Sequence, residues 1–293
     1  MGYLLALVRY FLYYIGRIIF CRLLPKELSY RITRLMADAH YFLARPTRRA
    51  LISNLRVVWG KEKSEREIRR MAHRTFRRFS GYAVDFFYSP QINRDNIDDW
   101  VEIKDLRYMD EALSQGKGVV ALSAHLGSWD LGAITLALKD YPISAVTLRH
   151  GERRATDIFR KQREAKGVKV IPLGVAVRRC FQALKDNELV AMLGDWDVEG
   201  RGMRVEFFGK EAIVPRGPAT FALEMGAAIV PVFMFKKGNR YELTFKKPIL
   251  PKPTGVKEKD ILNLTKKYLK VIERFIRNHP EEWFLYHQMW PST

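Results

Sequence analysis

Beyond Pro90 the chain alternates short apolar runs with stretches of helical periodicity, and this alternation limits its fold more than any other feature. The apolar runs are GVVALSAH (118–125), YPISAVTL (141–148), VKVIPL (168–173), ELVAMLGD (188–195), AAIVPVFMF (227–235) and RYELTFKKPI (240–249). Between them lie LGAITLALKD (131–140), ATDIFRKQREAKG (155–167), VRRCFQALKDN (177–187) and PATFALEMG (218–226). Runs this short, bounded by turn residues, read as strands, and the segments between them read as helices. Their alternation gives an α/β layered domain, expected over residues 101–293 and closed by an amphipathic helix between Lys252 and Pro280. A chain of 293 residues can bury a core without disulfides or a structural metal. Cys21 and Cys180 are its two cysteines, with no paired spacing for a disulfide scaffold or a thiolate zinc site, so no metal is expected.

The first hundred residues have another texture. From Glu27 to about Tyr88 apolar residues recur at three- and four-residue intervals, so 25–100 is expected to be a basic helical region. Ser64 followed by Glu67 fits a capping box opening the helix SEREIRRMAHRTFRRFSGYAVDFF. Residues 1–80 hold 18 Lys and Arg against 5 Asp and Glu, so +13 of the chain's +19 lies there. Such an excess calls for a polyanionic partner. It follows the apolar run YLLALVRYFLYYIGRIIFCRLL, Tyr3 to Leu24, which has the length to cross a bilayer but is interrupted by Arg9, Arg17 and Arg22. Residues 1–24 are therefore expected to anchor the chain, lying in the membrane interface or spanning it, with the basic residues that follow on the cytoplasmic side. Anionic headgroups favour juxtamembrane basic residues by about 1 kcal/mol each, which makes an anionic membrane lipid the expected partner. Nucleic acid is the rival explanation for Arg69, Arg70, Arg74, Arg77 and Arg78. No zinc-finger spacing, helix-turn-helix signature or RNP-like string supports it, and no nucleic-acid partner is expected.

The segment GVVALSAHLGSWDLGAITLALKD carries the chemistry. A strand ends at His125, Gly127 permits a tight turn, and a helix starts around Ser128 to Asp130. Open α/β sheets place ligands where strands end and helices begin, and free N–H groups there favour developing negative charge. With six histidines and 32 acidic residues, the five-residue His-to-Asp spacing is common by chance. What singles it out is a polar stretch interrupting an apolar strand and helix. A helix cap is the bland explanation for Asp130, and a satisfied core imidazole for His125. A His and an Asp without a G-x-S-x-G elbow suit transfer to a hydroxyl, with His125 as base and Asp130 orienting its ring.

HLGSWD (125–130) resembles the H-x4-D/E motif of membrane glycerolipid and glycolipid acyltransferases. Over nearly the whole length the chain resembles the late acyltransferases of lipid A biosynthesis, which add lauroyl and myristoyl groups, and the related phosphatidylinositol mannoside acyltransferases. The ordered blocks are RRALISNL (48–55), the His motif, LRHGERRATDIFRKQREAKG (148–167), AMLGDWD (191–197), VEFFGKEAIVPRGPATFA (205–222), AAIVPVF (227–233) and HPEEWFLYHQMW (279–290).

The resemblance implies a glycerolipid-acyltransferase-like α/β domain over 101–293. Its substrates would be an acyl thioester, on acyl carrier protein or coenzyme A, and a hydroxyl of a phosphorylated glycolipid, first of all a lipid A precursor. No cofactor beyond that co-substrate is implied. His125 would be the general base. Asp130 would be its charge-relay partner, or else a carboxylate of the later block, Asp195, with Glu199 as fallback. Arg163, and more weakly Arg149, would hold the donor's phosphate or the oxyanion, with Ser128 and Arg216 also at the substrate. FFG (Phe207 to Gly209) and PRGPA (Pro215 to Ala219) would form part of the acceptor and acyl-chain pocket, with core packing the rival for Phe207 and Phe208. Trp283, His287 and Trp290 would complete the fold or its membrane edge. The implied location is the cytoplasmic face of a bacterial inner membrane. A membrane-bound lipid hydrolase using the same pair on water, and a noncatalytic basic membrane- or nucleic-acid-binding protein, are the alternatives.

Overall fold

The computed structural model describes residues 24–148 and 153–290. The expected anchor, apart from Leu24, and Arg149 lie outside the described residues. In chain order the helices α1 (Lys26–Leu43), α2 (Arg45–Trp59) and α3 (Glu65–Tyr88) come first. Short α4 (Ile97–Trp100), β1 (Val101–Lys104) and α5 (Arg107–Leu113) follow. The alternating part runs β2 (Val119–Ser123), α6 (Trp129–Leu138), β3 (Ile143–Thr147), α7 (Arg153–Glu164), β4 (Lys169–Pro172), α8 (Ala176–Lys185) and β5 (Leu189–Leu193). After it come β6 (Met203–Phe207), β7 (Lys210–Val214), α9 (Gly217–Met225), β8 (Ala228–Lys237), β9 (Arg240–Phe245) and α10 (Lys257–Asn278).

The six expected strands are present, within a sheet of seven among the described residues, in the order β1-β9-β8-β2-β5-β3-β4. Strands β8, β2, β5, β3 and β4 run parallel, while β9 turns back antiparallel to β8 and carries β1 parallel to itself. The seventh strand, β1, and a separate β6–β7 hairpin were not among the strands expected from sequence. The hairpin is amphipathic, with Met203, Val205 and Phe207 buried and Arg204 and Glu206 exposed between them. Its register pairs Val205 with Ala212.

Residues of β2 alternate between the two faces of the sheet, because successive side chains of a strand point to opposite sides. Val119 and Ala121 join one apolar cluster with Ile134 of α6, Met109 of α5 and Phe86 of α3. Val120 and Leu122 join another with Cys180 of α8, Phe221 of α9 and Ile272 of α10. The result is three layers, helix, sheet and helix, with β2 and β5 buried on both sides. Burial pushes the Cys180 thiol up to about 12, so it packs as an inert apolar group.

Helix α3 starts at the expected capping box: the Ser64 hydroxyl accepts from the Glu67 N–H at 3.4 Å, and the Glu67 carboxylate accepts from the Ser64 N–H at 2.8 Å. Its C-terminal half contributes Tyr82 and Phe86 to the sheet's core, while α2 contributes Leu51, Leu55 and Trp59 to the core on the other face. Asp85 of α3 is fully buried and ties α1 to the sheet through Lys26 (3.1 Å) and Lys236 (2.9 Å), with the Tyr30 and Tyr241 hydroxyls also donating to it. Among the described residues no helix is long and apolar enough to cross a membrane.

Candidate active site

Strands β2 and β5 are parallel neighbours, and their register sets Ser123 opposite Leu193. His125 and Asp195 each stand two residues further along, so adjacent strand ends deliver a ring and a carboxylate to the same place. The His125 Nδ1 lies 2.9 Å from Asp195 Oδ1. The His125 backbone N–H donates to both carboxylate oxygens at 3.1 Å, and the Trp283 indole N–H donates to Oδ2 at 3.0 Å. Asp195 is wholly buried. Burial alone would raise its carboxyl, but the His125 ring and the N–H donors outweigh that and hold it below the usual carboxylate range. An ionised carboxylate only accepts, so Nδ1 carries the proton and the neutral ring's Nε2 keeps a free lone pair. Trp129 and Trp196 meet the imidazole edge-on, with centroids 5.7 and 5.8 Å away.

The loop carrying His125 is clamped by its backbone. Phe284 N–H donates to the His125 carbonyl (2.7 Å), Gly127 N–H to the Glu282 carbonyl (2.9 Å), and Ser128 N–H to the Met234 carbonyl (2.8 Å). Gly127 adopts φ of +69°, and a Cβ there would lie 2.0 Å from the Met234 carbonyl oxygen. Glycine is therefore required twice over, by the left-handed backbone and by the approach of β8.

Asp130 does not reach His125. It sits in the first turn of α6, facing α7, and its carboxylate accepts from Arg163 Nε at 2.6 Å. Of the two carboxylates the sequence offered as partner of His125, Asp130 and Asp195, it is Asp195 on the neighbouring strand end that contacts the ring. The Arg163 side chain is 11% exposed. Burial disfavours its charge, yet the Asp130 carboxylate more than compensates, so the guanidinium is kept cationic. It lies over Phe86 and Phe159, 5.8 and 5.9 Å from the ring centroids.

Next to His125 opens a cavity of about 480 Å³, lined also by Ser128, Asp130 and Arg163. Ala121, Ala191 and Ala145 are in register across β2, β5 and β3, and all three line it. Gly132 and Ala133 of α6 line it too. Small side chains on sheet and helix leave a space that larger residues would fill; Leu136 and Ile143 also line it. The wall is mostly apolar.

The other expected residues lie elsewhere. Arg216 immediately precedes α9 and pairs with Glu258 at 2.6 Å on the surface, and it does not line the cavity, though Pro215 does. Glu199 is exposed in the loop after β5. Phe207 is fully buried against Trp290, and Phe208 packs on Trp283 and Trp290, so both serve the core rather than the pocket. Trp283 was expected only to complete the fold, yet it touches the Asp195 carboxylate. His287 stacks on Trp196 at 4.4 Å, and burial together with the nearby His125 ring lowers its pKa. Trp196 adjoins Asp195 in GDWD, a signal for its presence at the site; no sequence signal pairs Trp283 with Asp195. Among the described residues no cluster of His, Cys, Asp and Glu could hold a metal ion.

The phosphatidylinositol mannoside acyltransferase of Mycolicibacterium smegmatis (strain ATCC 700084 / mc(2)155) is 26% identical over 216 residues, 72% of this chain and 69% of that protein. The protein described by the same words in Mycobacterium tuberculosis (strain ATCC 25618 / H37Rv) is 28% identical over 221 residues, 72% of this chain and 67% of that one. Among solved structures, the 1-acyl-sn-glycerophosphate (LPA) acyltransferase, PlsC, from Thermotoga maritima aligns with 87% of this chain and 99% of its own, at 14% identity and a TM-score of 0.40. The family model for bacterial lipid A biosynthesis acyltransferases matches residues 3–292. The chain belongs to the bacterial lipid A biosynthesis acyltransferase family and is an acyltransferase that acts on lipids.

Proposed function

We propose that the enzyme transfers a fatty acyl group from an acyl thioester, of acyl carrier protein or coenzyme A, to a hydroxyl of a phosphorylated membrane glycolipid. The observation that carries this reading is the His125–Asp195 pair at an apolar cavity beside a buried cationic arginine. Nε2 of His125 takes the proton of the acceptor hydroxyl. The oxygen attacks the thioester carbonyl, a C–O bond forms, and the C–S bond breaks. The proton passes from the imidazolium to the leaving thiolate. Asp195 holds the tautomer and stabilises the imidazolium. The first-turn N–H groups of α6 and the Arg163 guanidinium favour the oxyanion. The cavity holds the acyl chain.

A lipid A precursor is the acceptor favoured by the family match, and a phosphatidylinositol mannoside is the second reading, favoured by the names of the relatives. The site is read as lying at the cytoplasmic face of a bacterial inner membrane. Helix α1 supports this. Leu28, Leu35 and Phe42, and beside them Met36 and Leu43, recur at seven-residue spacing on an exposed apolar stripe, with Leu43 80% exposed. Arg31 and Arg34 are also exposed on this helix, and Arg45 is exposed at the start of α2. An apolar stripe beside arginines suits an anionic membrane surface. An acidic acyl carrier protein would be steered by the same positive charge.

Mass spectrometry of membrane lipids from cells lacking the protein tests the reading. One acyl group should disappear from one glycolipid and return with the wild-type gene but not with His125→Ala. An unchanged lipid profile, or full rescue by His125→Ala, would overturn it.

A further inference from the structure

We propose that the Ser123 hydroxyl is a catalytic hydrogen-bond donor to the carbonyl oxygen of the acyl donor, a role that rests on the acyl-transfer reading above. Ser123 ends β2, two residues before His125, and is among the residues that line the cavity, with Ala121. Along β2 the residues Ala121 and Ser123 share the cavity face, while Val120 and Leu122 face the opposite core. Ser123 is 8% exposed, and its Oγ is buried with no hydrogen-bond partner among the described residues. A buried hydroxyl without a partner is destabilising, and the fold gains nothing from it that alanine, already used at 121, would not supply.

The chemistry of the substrate says what the hydroxyl meets. A saturated acyl chain carries no hydrogen-bond acceptor except the carbonyl oxygen at its thioester end. For Nε2 of His125 to deprotonate an attacking hydroxyl, the thioester carbon must lie within a few ångströms of the ring. Residues i and i+2 of a strand lie about 6.6 Å apart on one face. Ser123 closes β2 and His125 follows two residues beyond it, both lining the cavity, which sets the hydroxyl near the carbonyl and the first carbons of a chain entering there. As the acceptor oxygen adds, the carbonyl oxygen becomes an alkoxide and the Ser123 hydrogen bond strengthens. When the C–S bond breaks it relaxes to a carbonyl again. Ser123 neither gains nor loses a proton.

The test uses the full-length enzyme, palmitoyl-CoA as donor and membrane glycolipid extract as acceptor. Ser123→Ala should lower kcat about 10²-fold, the scale of losing one oxyanion donor, with donor KM nearly unchanged. Its melting temperature should stay level or rise, whereas a structural role would lower it. A second readout is the infrared carbonyl band of a bound palmitoyl-CoA analogue with CH2 replacing the thioester sulfur and a carbon-13 carbonyl. The band should lie at lower frequency in the wild type and in Ser123→Thr than in Ser123→Ala. Equal frequencies in all three, or an undiminished kcat in Ser123→Ala, overturn the Ser123 role while leaving acyl transfer intact. A wild-type enzyme that moves no acyl group overturns the acyl-transfer reading itself.

Discussion

His125 and Asp195 are 70 residues apart in the chain and one strand apart in the sheet, with Nδ1 and Oδ1 separated by 2.9 Å. The pairing follows from the parallel β2–β5 register, which brings both strand ends to one edge. Replacing Asp195 with Asn removes the charge that fixes the tautomer and stabilises the imidazolium. Asp195→Asn should lower kcat by about 10²–10⁴-fold without unfolding the protein. Steady-state transfer assays and circular dichroism check this, and a wild-type kcat in the variant would contradict it.

Asp130 is paired with Arg163, so Asp130→Asn and Arg163→Lys should not be additive. The Nε–Oδ1 contact of 2.6 Å is charge-assisted, but Asp130 is 24% exposed, which moderates its strength. A double-mutant cycle on kcat/KM should give a coupling of about 1–2 kcal/mol. Either variant should raise the donor KM more than Asp195→Asn does. Independent effects would show that the ion pair does not position the guanidinium.

On the proposed reading, the alanine row sets which acyl chains the cavity accepts. Ala145→Leu places a branched side chain where Ala121, Ala191 and Ala145 leave space. Competition between acyl-CoA donors should shift toward shorter chains by about two to four carbons, with a stability loss of about 1–3 kcal/mol at most. An unchanged chain-length profile would place the acyl chain elsewhere.

Acid stability should depend on Asp85 and Asp195, both held below the usual carboxylate range. Burial opposes each charge; Lys236 leads the groups that offset it at Asp85, and His125 leads at Asp195. A carboxyl with a depressed folded pKa contributes its stability above the unfolded value of about 3.9 and loses it as pH falls through the folded value. Asp85→Asn strands Lys26 and Lys236 and should cost about 3 kcal/mol at neutral pH. Urea unfolding at neutral pH and at pH 3 should show a smaller acid dependence in this variant than in the wild type.

The apolar stripe of α1 should contribute to membrane binding. Leu35→Asp with Phe42→Asp alters two exposed positions and should leave thermal stability within about 0.5 kcal/mol. Co-sedimentation with vesicles containing phosphatidylglycerol should fall severalfold relative to the wild type. Unaltered sedimentation would assign binding to other parts of the chain.

Local signals fixed much of this protein in advance. The Ser64–Glu67 cap depends on residues three apart, and α3 begins there as expected. The closing helix was expected between Lys252 and Pro280 and runs Lys257–Asn278. Buried parallel strands read clearly because both their faces must be apolar. Strand β1 and the β6–β7 hairpin were less legible, since short strands with exposed charged residues resemble loops. His125 was readable because a polar stretch interrupted an apolar strand and helix. Its partner was not, because Asp130 and Asp195 are equally plausible until strand order is known. Sequence determined the layered α/β class and singled out His125 by local periodicity and by the cost of burying polar groups. Strand order, the Trp283 contact with Asp195, the Asp130–Arg163 pair and the cavity beneath Ser123 were decided only in three dimensions, where residues distant in the chain compete for the same hydrogen bonds and space.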